Sequence, residues 1–410
     1  MRKLIAHYIY VLIASIPLSI LYAFINKLKI FNPIFIVTII TLIIICVLFI
    51  YISVNLAKKI PSYSLGKYRN KLYFCFILLS LLPLASNIYL DLRVYKINSM
   101  NDFFKIEWNP GGNYYLGNDI DFNDFTTTKG YVIPEFTGTL DGNDKTINNL
   151  RYPLFYKVKD TRDNSGIVKN LNLRNVNIKI EDRRFAAGAV ALQNWGTIIN
   201  VHAIGEVEGI EKVGGLVGIN NSVIEQSSFK GIVRGKYFTG GIAGINHVNI
   251  RTSYTEAKVN GVDIVGGIAG SNDVGGVVEN CYTIEDVKGE KMVGGIAGTS
   301  SGSISSSFVI GNIIGREIVG VLSFDEVNNK GFISGKIISN NYHFEDNIFY
   351  INPSISDIPN DKIITPASMT KDWFINELGL VELNWDFTPL IRNEYPILKE
   401  VPNQQSIIIS

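Results

Sequence analysis

The run Val213-Gly-Gly-Leu-Val-Gly-Ile-Asn220 decides how this chain is read, because it returns three times. The copies are Thr239-Gly-Gly-Ile-Ala-Gly-Ile-Asn246, Val265-Gly-Gly-Ile-Ala-Gly-Ser-Asn272 and Val293-Gly-Gly-Ile-Ala-Gly-Thr-Ser300. Looser versions stand at Ala187-Gly188-Ala-Val-Ala191 and Val319-Gly320-Val-Leu-Ser323. The six starts at 187, 214, 240, 266, 294 and 319 are therefore 27, 26, 26, 28 and 25 residues apart. A second pattern keeps the same register. Twelve-residue segments at 198–209, 224–235, 250–261, 278–289 and 304–315 carry Val207, Val233, Val259, Val287 and Ile313 at their tenth position. Two independent columns in one register establish an internal repeat.

A period near 26, with short β-branched runs and glycine-rich junctions, fits one coil of a right-handed parallel β-helix. A single coil cannot bury its own apolar side chains, but the next coil, about 4.8 Å above, pairs every strand and buries like residues in columns. Leu216, Ile242, Ile268 and Ile296 form one expected column, and Val217, Ala243, Ala269 and Ala297 another. Gly214, Gly240, Gly266 and Gly294, with their neighbours Gly215, Gly241, Gly267 and Gly295, suit tight corners or close backbone approach. Asn220, Asn246 and Asn272 recur at a bend, where stacked amides can hydrogen-bond along the axis. A helical solenoid needs apolar residues at i, i+3 and i+4 over ten or more positions, and a glycine-rich repeat opposes it.

These residues resemble the GLUG motif of bacterial surface proteins. That motif is seen in adhesins and in the region preceding the protease domain of streptococcal immunoglobulin-A-specific zinc peptidases. The flanks are similar as well: Tyr115-Leu-Gly-Asn-Asp-Ile-Asp121, Phe136-Thr-Gly-Thr-Leu-Asp-Gly-Asn143, Thr146-Ile-Asn-Asn-Leu150, Leu154-Phe155 and Val168-Lys-Asn-Leu-Asn-Leu173 resemble the opening of such regions. Trp385 and Tyr395-Pro-Ile-Leu398 resemble their close. The resemblance covers about 102–400. It implies the β-helical architecture and leaves the activity open, since one fold hosts many functions.

Outward from the repeat, composition divides the 410 residues. Residues 1–100 hold eleven of the 38 Lys and Arg but only Asp91 among the 37 Asp and Glu, which leaves 27 basic against 36 acidic residues, a net of −9, in 101–410. An acidic body disfavours nucleic acid, whose binding rests on Lys and Arg at phosphates. In the head, 4–25, 33–56 and 72–90 are uncharged apolar runs of spanning length, so three transmembrane helices are expected. Lys58, Lys59, Lys67, Arg69 and Lys71 in the second loop outnumber Lys27 and Lys29 in the first, which predicts a cytoplasmic N-terminus and an extracytoplasmic body. The expected architecture is a three-span membrane α-helical head plus an all-β solenoid. Its parts are a 1–100 anchor, a 101–182 entry and cap, a 183–350 repeat solenoid and a 351–410 C-terminal capping segment. The expected location is the plasma membrane, multi-pass, with the lipid bilayer as a partner.

The residues give chemistry little to work with. A zincin needs two His at i, i+4 with Glu between them, and none of His7, His202, His247 and His343 is followed by Glu. His202 falls in a column with Ser228, Tyr254, Tyr282 and Phe308, and Cys281 in one with Val201, Ser227, Ser253 and Ser307, so both read as stacked side chains. The carboxylate pairs Asp119 with Asp121, Asp141 with Asp144, and Asp263 with Asp273 are the candidates for carbohydrate chemistry. Turn formation explains them equally well. No catalytic, cofactor-binding or metal-binding residue is assigned, and no cofactor is expected. The reading is a non-enzymatic binding, adhesion or scaffold surface for a protein or glycan ligand, with Tyr237, Phe238, Tyr254 and Tyr282 as candidate surface residues. A carbohydrate-active lyase, hydrolase or epimerase is the alternative.

Overall fold

The structure, a computed structural model, describes residues 94–161, 166–316, 318–320 and 366–409, together with the backbones of the strands Gly331–Ile333, Ile337–Ile338, Ile348–Ile351 and Ile363–Ile364. The described chain is a parallel β-solenoid. On its longest sheet, strands starting at Val94, Asn113, Thr139, Ile167, Thr197, Val223, Asn249, Val277 and Ser303 pair parallel, each with the next, at spacings of 19, 26, 28, 30, 26, 26, 28 and 26 residues. The stack starts at Val94, inside the segment read from sequence as a linker. Later strands continue the pairing from Ser307 to Gly331 to Ile348, at shorter spacings of 24 and 17.

One coil shows the plan. Val217–Asn220 lies in a seven-stranded sheet, Val223–Glu225 and Ser228–Arg234 in the long sheet, and Tyr237–Gly240 in a five-stranded sheet. Between the two long-sheet strands the chain bends through the left-handed region, and it does so in every coil: Asn170, Asn200, Gln226, Thr252, Asn280 and Ser306 have φ between 47° and 53°. Asparagine and other short polar residues tolerate this conformation best. Three of the six are asparagine.

The interior is built of columns. Leu216, Ile242, Ile268 and Ile296 are fully buried, as are Val207, Val233, Val259, Val287 and Ile313, whose strands pair in register. The repeat glycines owe their place to space. A Cβ on Gly240 would lie 2.1 Å from the Ala243 carbonyl oxygen and 2.5 Å from the Gly270 nitrogen of the next coil. One on Gly241 would lie 2.1 Å from the Gly267 oxygen and 2.5 Å from Thr255 Cγ2. Neither has a left-handed φ, so of the two reasons available from sequence, close backbone approach is the one that applies. Asn194, Asn220, Asn246 and Asn272 stack in the core, each Nδ2 donating to the next Oδ1 at 2.8 Å, and Asn272 donates to Ser300 Oγ at 3.0 Å.

The expected combination of a membrane α-helical head with the solenoid is corrected to the solenoid alone. Among the described residues no helix is long and apolar enough to cross a membrane, and the three expected spans at 4–25, 33–56 and 72–90 lie outside the described residues. The multi-pass plasma-membrane location and the lipid-bilayer partner rested only on those spans and are withdrawn with them. The described helices are short: Met100–Phe104, which buries Phe103 beside Phe122 and Phe155, and Lys371–Asn376.

Candidate functional site

On the outer face of the long sheet, backbone pairing aligns Asn172, His202, Ser228, Tyr254, Tyr282 and Phe308 in one column. Because like residues recur one coil apart, the three rings stack almost parallel. Their centroids are 5.1 and 5.2 Å apart, with interplanar angles of 7° and 10°. The ring faces are thus spent on each other and only the edges point outward.

Residues 366–409 lie over those edges. This segment has its own antiparallel pair, Trp385–Asp386 with Ile397–Leu398, and a second apolar core in which Phe374, Leu380, Trp385 and Leu398 join Tyr254, Tyr282 and Phe308. Tyr254 Oη donates to the Pro402 carbonyl at 3.2 Å and Tyr282 Oη to Gln404 Oε1 at 2.7 Å. Trp385 Nε1 donates to Asn280 Oδ1 at 3.0 Å, and Ser306 Oγ to the Gly379 carbonyl at 2.9 Å. Burial raises the Tyr254 phenol to about 12 and takes Tyr282 well above 10, so both hydroxyls remain protonated donors. Two of the four candidate surface aromatics are therefore closed off by the chain's own C-terminal segment.

Upstream in the same column, His202 is nearly buried, with Nδ1 2.8 Å from Ser228 Oγ and Nε2 2.8 Å from Asn200 Oδ1. Burial pushes its pKa down to about 4, against a smaller opposing pull from Asp144, so the ring is neutral at pH 7. A cavity of about 380 Å³, open to solvent, lies between Asn200 and Glu400, Val401 and Pro402. Cys281 is fully buried in its expected column, and burial drives its thiol up to about 12.

The other two candidates lie on the five-stranded sheet. Tyr237 is 38% exposed, and Phe238 is half-buried with φ of 49°. Glu211, Tyr237 and Asp263 align in one outward column. Arg183 pairs with Glu211 at 2.7 Å and Lys291 with Asp263 at 3.4 Å, so an exposed ring sits between two ion pairs of alternating sign. Trp195, 46% exposed with Lys157 Nζ 5.8 Å from its ring centre, is an exposed aromatic that sequence reasoning missed. Its only signal was a large ring next to a repeat asparagine.

The candidate carboxylates are dispersed over different coils. Asp119 Oδ1 accepts from the Thr146 amide at 2.8 Å. Asp121 accepts from Asn149 Nδ2 and the Asn123 amide, which hold its pKa below the usual range. At Asp141 desolvation pushes upward, but bonds from the Asn143 amide, Asn170 and Lys169 outweigh it and the pKa is lowered. Asp144 sits in the turn that follows, with φ of 56°. Asp263 faces Lys291, and Asp273 is held by Ser271 Oγ at 2.5 Å and His247 Nδ1 at 3.1 Å. Among the described residues no three His, Cys, Asp or Glu side chains converge in a way that would hold a metal ion.

Comparison with known proteins agrees with this architecture. Residues 95–205 match the model of the M26 IgA1-specific metallo-endopeptidase N-terminal region. The chain is 37% identical over 139 residues to the immunoglobulin A1 protease of Streptococcus sanguinis, a match covering 32% of this chain and 7% of that protein. It is 35% identical over 157 residues to halomucin of Haloquadratum walsbyi (strain DSM 16790 / HBSQ001), covering 33% of this chain and 2% of that protein. A solved IgA1 protease structure aligns at a TM-score of 0.40 and 22% identity, over 63% of this chain and 21% of that one. The chain thus resembles the β-helical region of IgA1 proteases while spanning a small fraction of the curated relatives' length.

Proposed function

We propose that the chain is a non-catalytic β-solenoid that displays a binding surface for a protein or glycan on a bacterial surface. The observation that carries this reading is the outward column of Glu211, Tyr237 and Asp263 with its flanking Arg183 and Lys291. A stacked backbone holds these groups at steps of about 4.8 Å. An exposed ring between fixed charges has the make-up of an anchor with a polar rim. Similarity to an immunoglobulin A1 protease lies in the N-terminal region of that family's model, which supports a role in positioning or binding.

The test is a protein and glycan array probed with the purified chain and with a Tyr237→Ser, Asp263→Lys variant. Specific hits that fall at least tenfold in the variant support the reading. Hits unaffected by the change would place binding elsewhere. Release of new reducing ends or unsaturated uronates from any arrayed glycan, abolished by Asp119→Asn, Asp141→Asn or Asp263→Asn, would replace display with catalysis.

A further inference from the structure

In a solenoid each coil touches only its neighbours, so stability propagates from one coil to the next and local opening costs little more than one interface. The C-terminal segment breaks that rule here. Its polar contacts fall on four successive coils of the long sheet. Glu400 accepts from Gln226, Pro402 from Tyr254, Gln404 from Tyr282, and Gly379 from Ser306. Between the last two, Trp385 bonds Asn280 and lies 6.0 Å from the Tyr282 ring and 5.4 Å from that of Phe308. Three steps of about 4.8 Å make this contact line roughly 14 Å long, parallel to the stacking axis.

The segment also depends on what it covers. It is 44 residues long, and its apolar side chains share one core with Tyr254, Tyr282 and Phe308. A piece of that size seldom buries enough surface to fold alone. Segment and coils therefore order each other.

We propose that residues 366–409 act as a lateral clamp, which couples the four coils carrying Gln226, Tyr254, Tyr282 and Phe308 into one cooperative unit and stops them opening singly along the axis. The aromatic ladder is the clamp's seat. The upstream coils at 139–179, where none of the segment's side-chain hydrogen bonds falls, open independently of it. For a rod that presents a ligand-binding face, the consequence is a segment that keeps its length and spacing under load.

Native-state amide hydrogen exchange on the full chain tests this. In the unaltered protein, amides of Val223–Glu225, Tyr254–Asn260, Val277–Glu279 and Ser307–Val309 should share one protection level. Trp385→Ala with Tyr395→Ala should lower that level about tenfold or more and spread it into a coil-by-coil gradient, with Thr139–Asp141 unchanged. A milder pair, Tyr254→Phe with Tyr282→Phe, keeps the stacked rings and removes two bonds to the segment. It should lower the four coils together by roughly five- to tenfold. If the first variant loses its fold, the second decides. Loss of protection confined to 366–409, with the coils untouched in the phenylalanine pair, would overturn the proposal and make the segment a passenger.

Discussion

Replacing Asn246 by alanine tests the buried amide ladder at its centre. Asn246 is fully buried; its Oδ1 accepts from Asn220 and its Nδ2 donates to Asn272, both at 2.8 Å, with longer bonds to the Val248 and Val277 carbonyls at 3.3 and 3.4 Å. Losing the two short bonds costs about 1 kcal/mol each. Asn272 Oδ1 loses its side-chain donor in a dry site, which adds about 1–3 kcal/mol. Asn220 Nδ2 keeps the Ser222 and Asn249 carbonyls at 3.0 and 3.1 Å, so its share of the loss is small. The removed amide leaves a void worth about 1 kcal/mol more. The expected destabilisation is therefore about 4 kcal/mol, read by urea unfolding followed with far-UV circular dichroism and an unchanged m value. Asn220→Ala removes a bond already lost in Asn246→Ala, so the double variant should fall short of the sum by about 1–3 kcal/mol. A cost below 1 kcal/mol, or strict additivity, would refute a cooperative ladder.

Three other outcomes are expected. Deleting 214–239 removes 26 residues and rejoins Val213 to Gly240 in phase, so stability should largely be kept, whereas a 13-residue deletion should unfold the repeat; equal damage from both would contradict the coil assignment. His202 keeps a pKa near 4 when folded but about 6.5 when unfolded, so the unfolded chain binds the proton first as pH falls and stability drops through that window, by about 2 kcal/mol at pH 5. His202→Ser, matching Ser228 in the next coil, should remove that loss, and a wild-type-to-variant difference that stays constant from pH 7.5 to 5 would show that the ring is not buried and neutral. Alkylation of Cys281, followed by peptide mass spectrometry, should run at the rate of unfolding, since thiol burial suppresses the thiolate by roughly a thousandfold; rapid native labelling would place the residue outside the core.

The asparagines and glycines of the repeat were legible because stacking copies one coil's constraints into the next. Asn220, Asn246 and Asn272 share a position for the same reason that Leu216, Ile242 and Ile268 do. The left-handed bend was not legible. Asn170, Asn200, Gln226, Thr252, Asn280 and Ser306 share a backbone angle and not a residue type, and a sequence column records only the latter. Of the candidate aromatics, their column was readable and their exposure was not.

The sequence alone therefore determined the period, the parallel stack and the identity of the buried columns, since all three follow from local spacing repeated over and over. The tertiary structure alone decided what happens outside the coils. Residues 366–409 carry no repeat, and their destination on the Tyr254, Tyr282 and Phe308 ladder depends on contacts between positions more than a hundred residues apart, such as Trp385 with Asn280. The same long-range packing left Tyr237 exposed and buried Tyr282. The apolar runs of the head led composition to expect membrane spans, but spacing and hydropathy cannot show whether a run becomes a spanning helix, and no described helix is one. Periodicity encodes what neighbours along a stack must share; which surface a non-repeating segment covers is set by shape and chemistry that only the folded chain brings together.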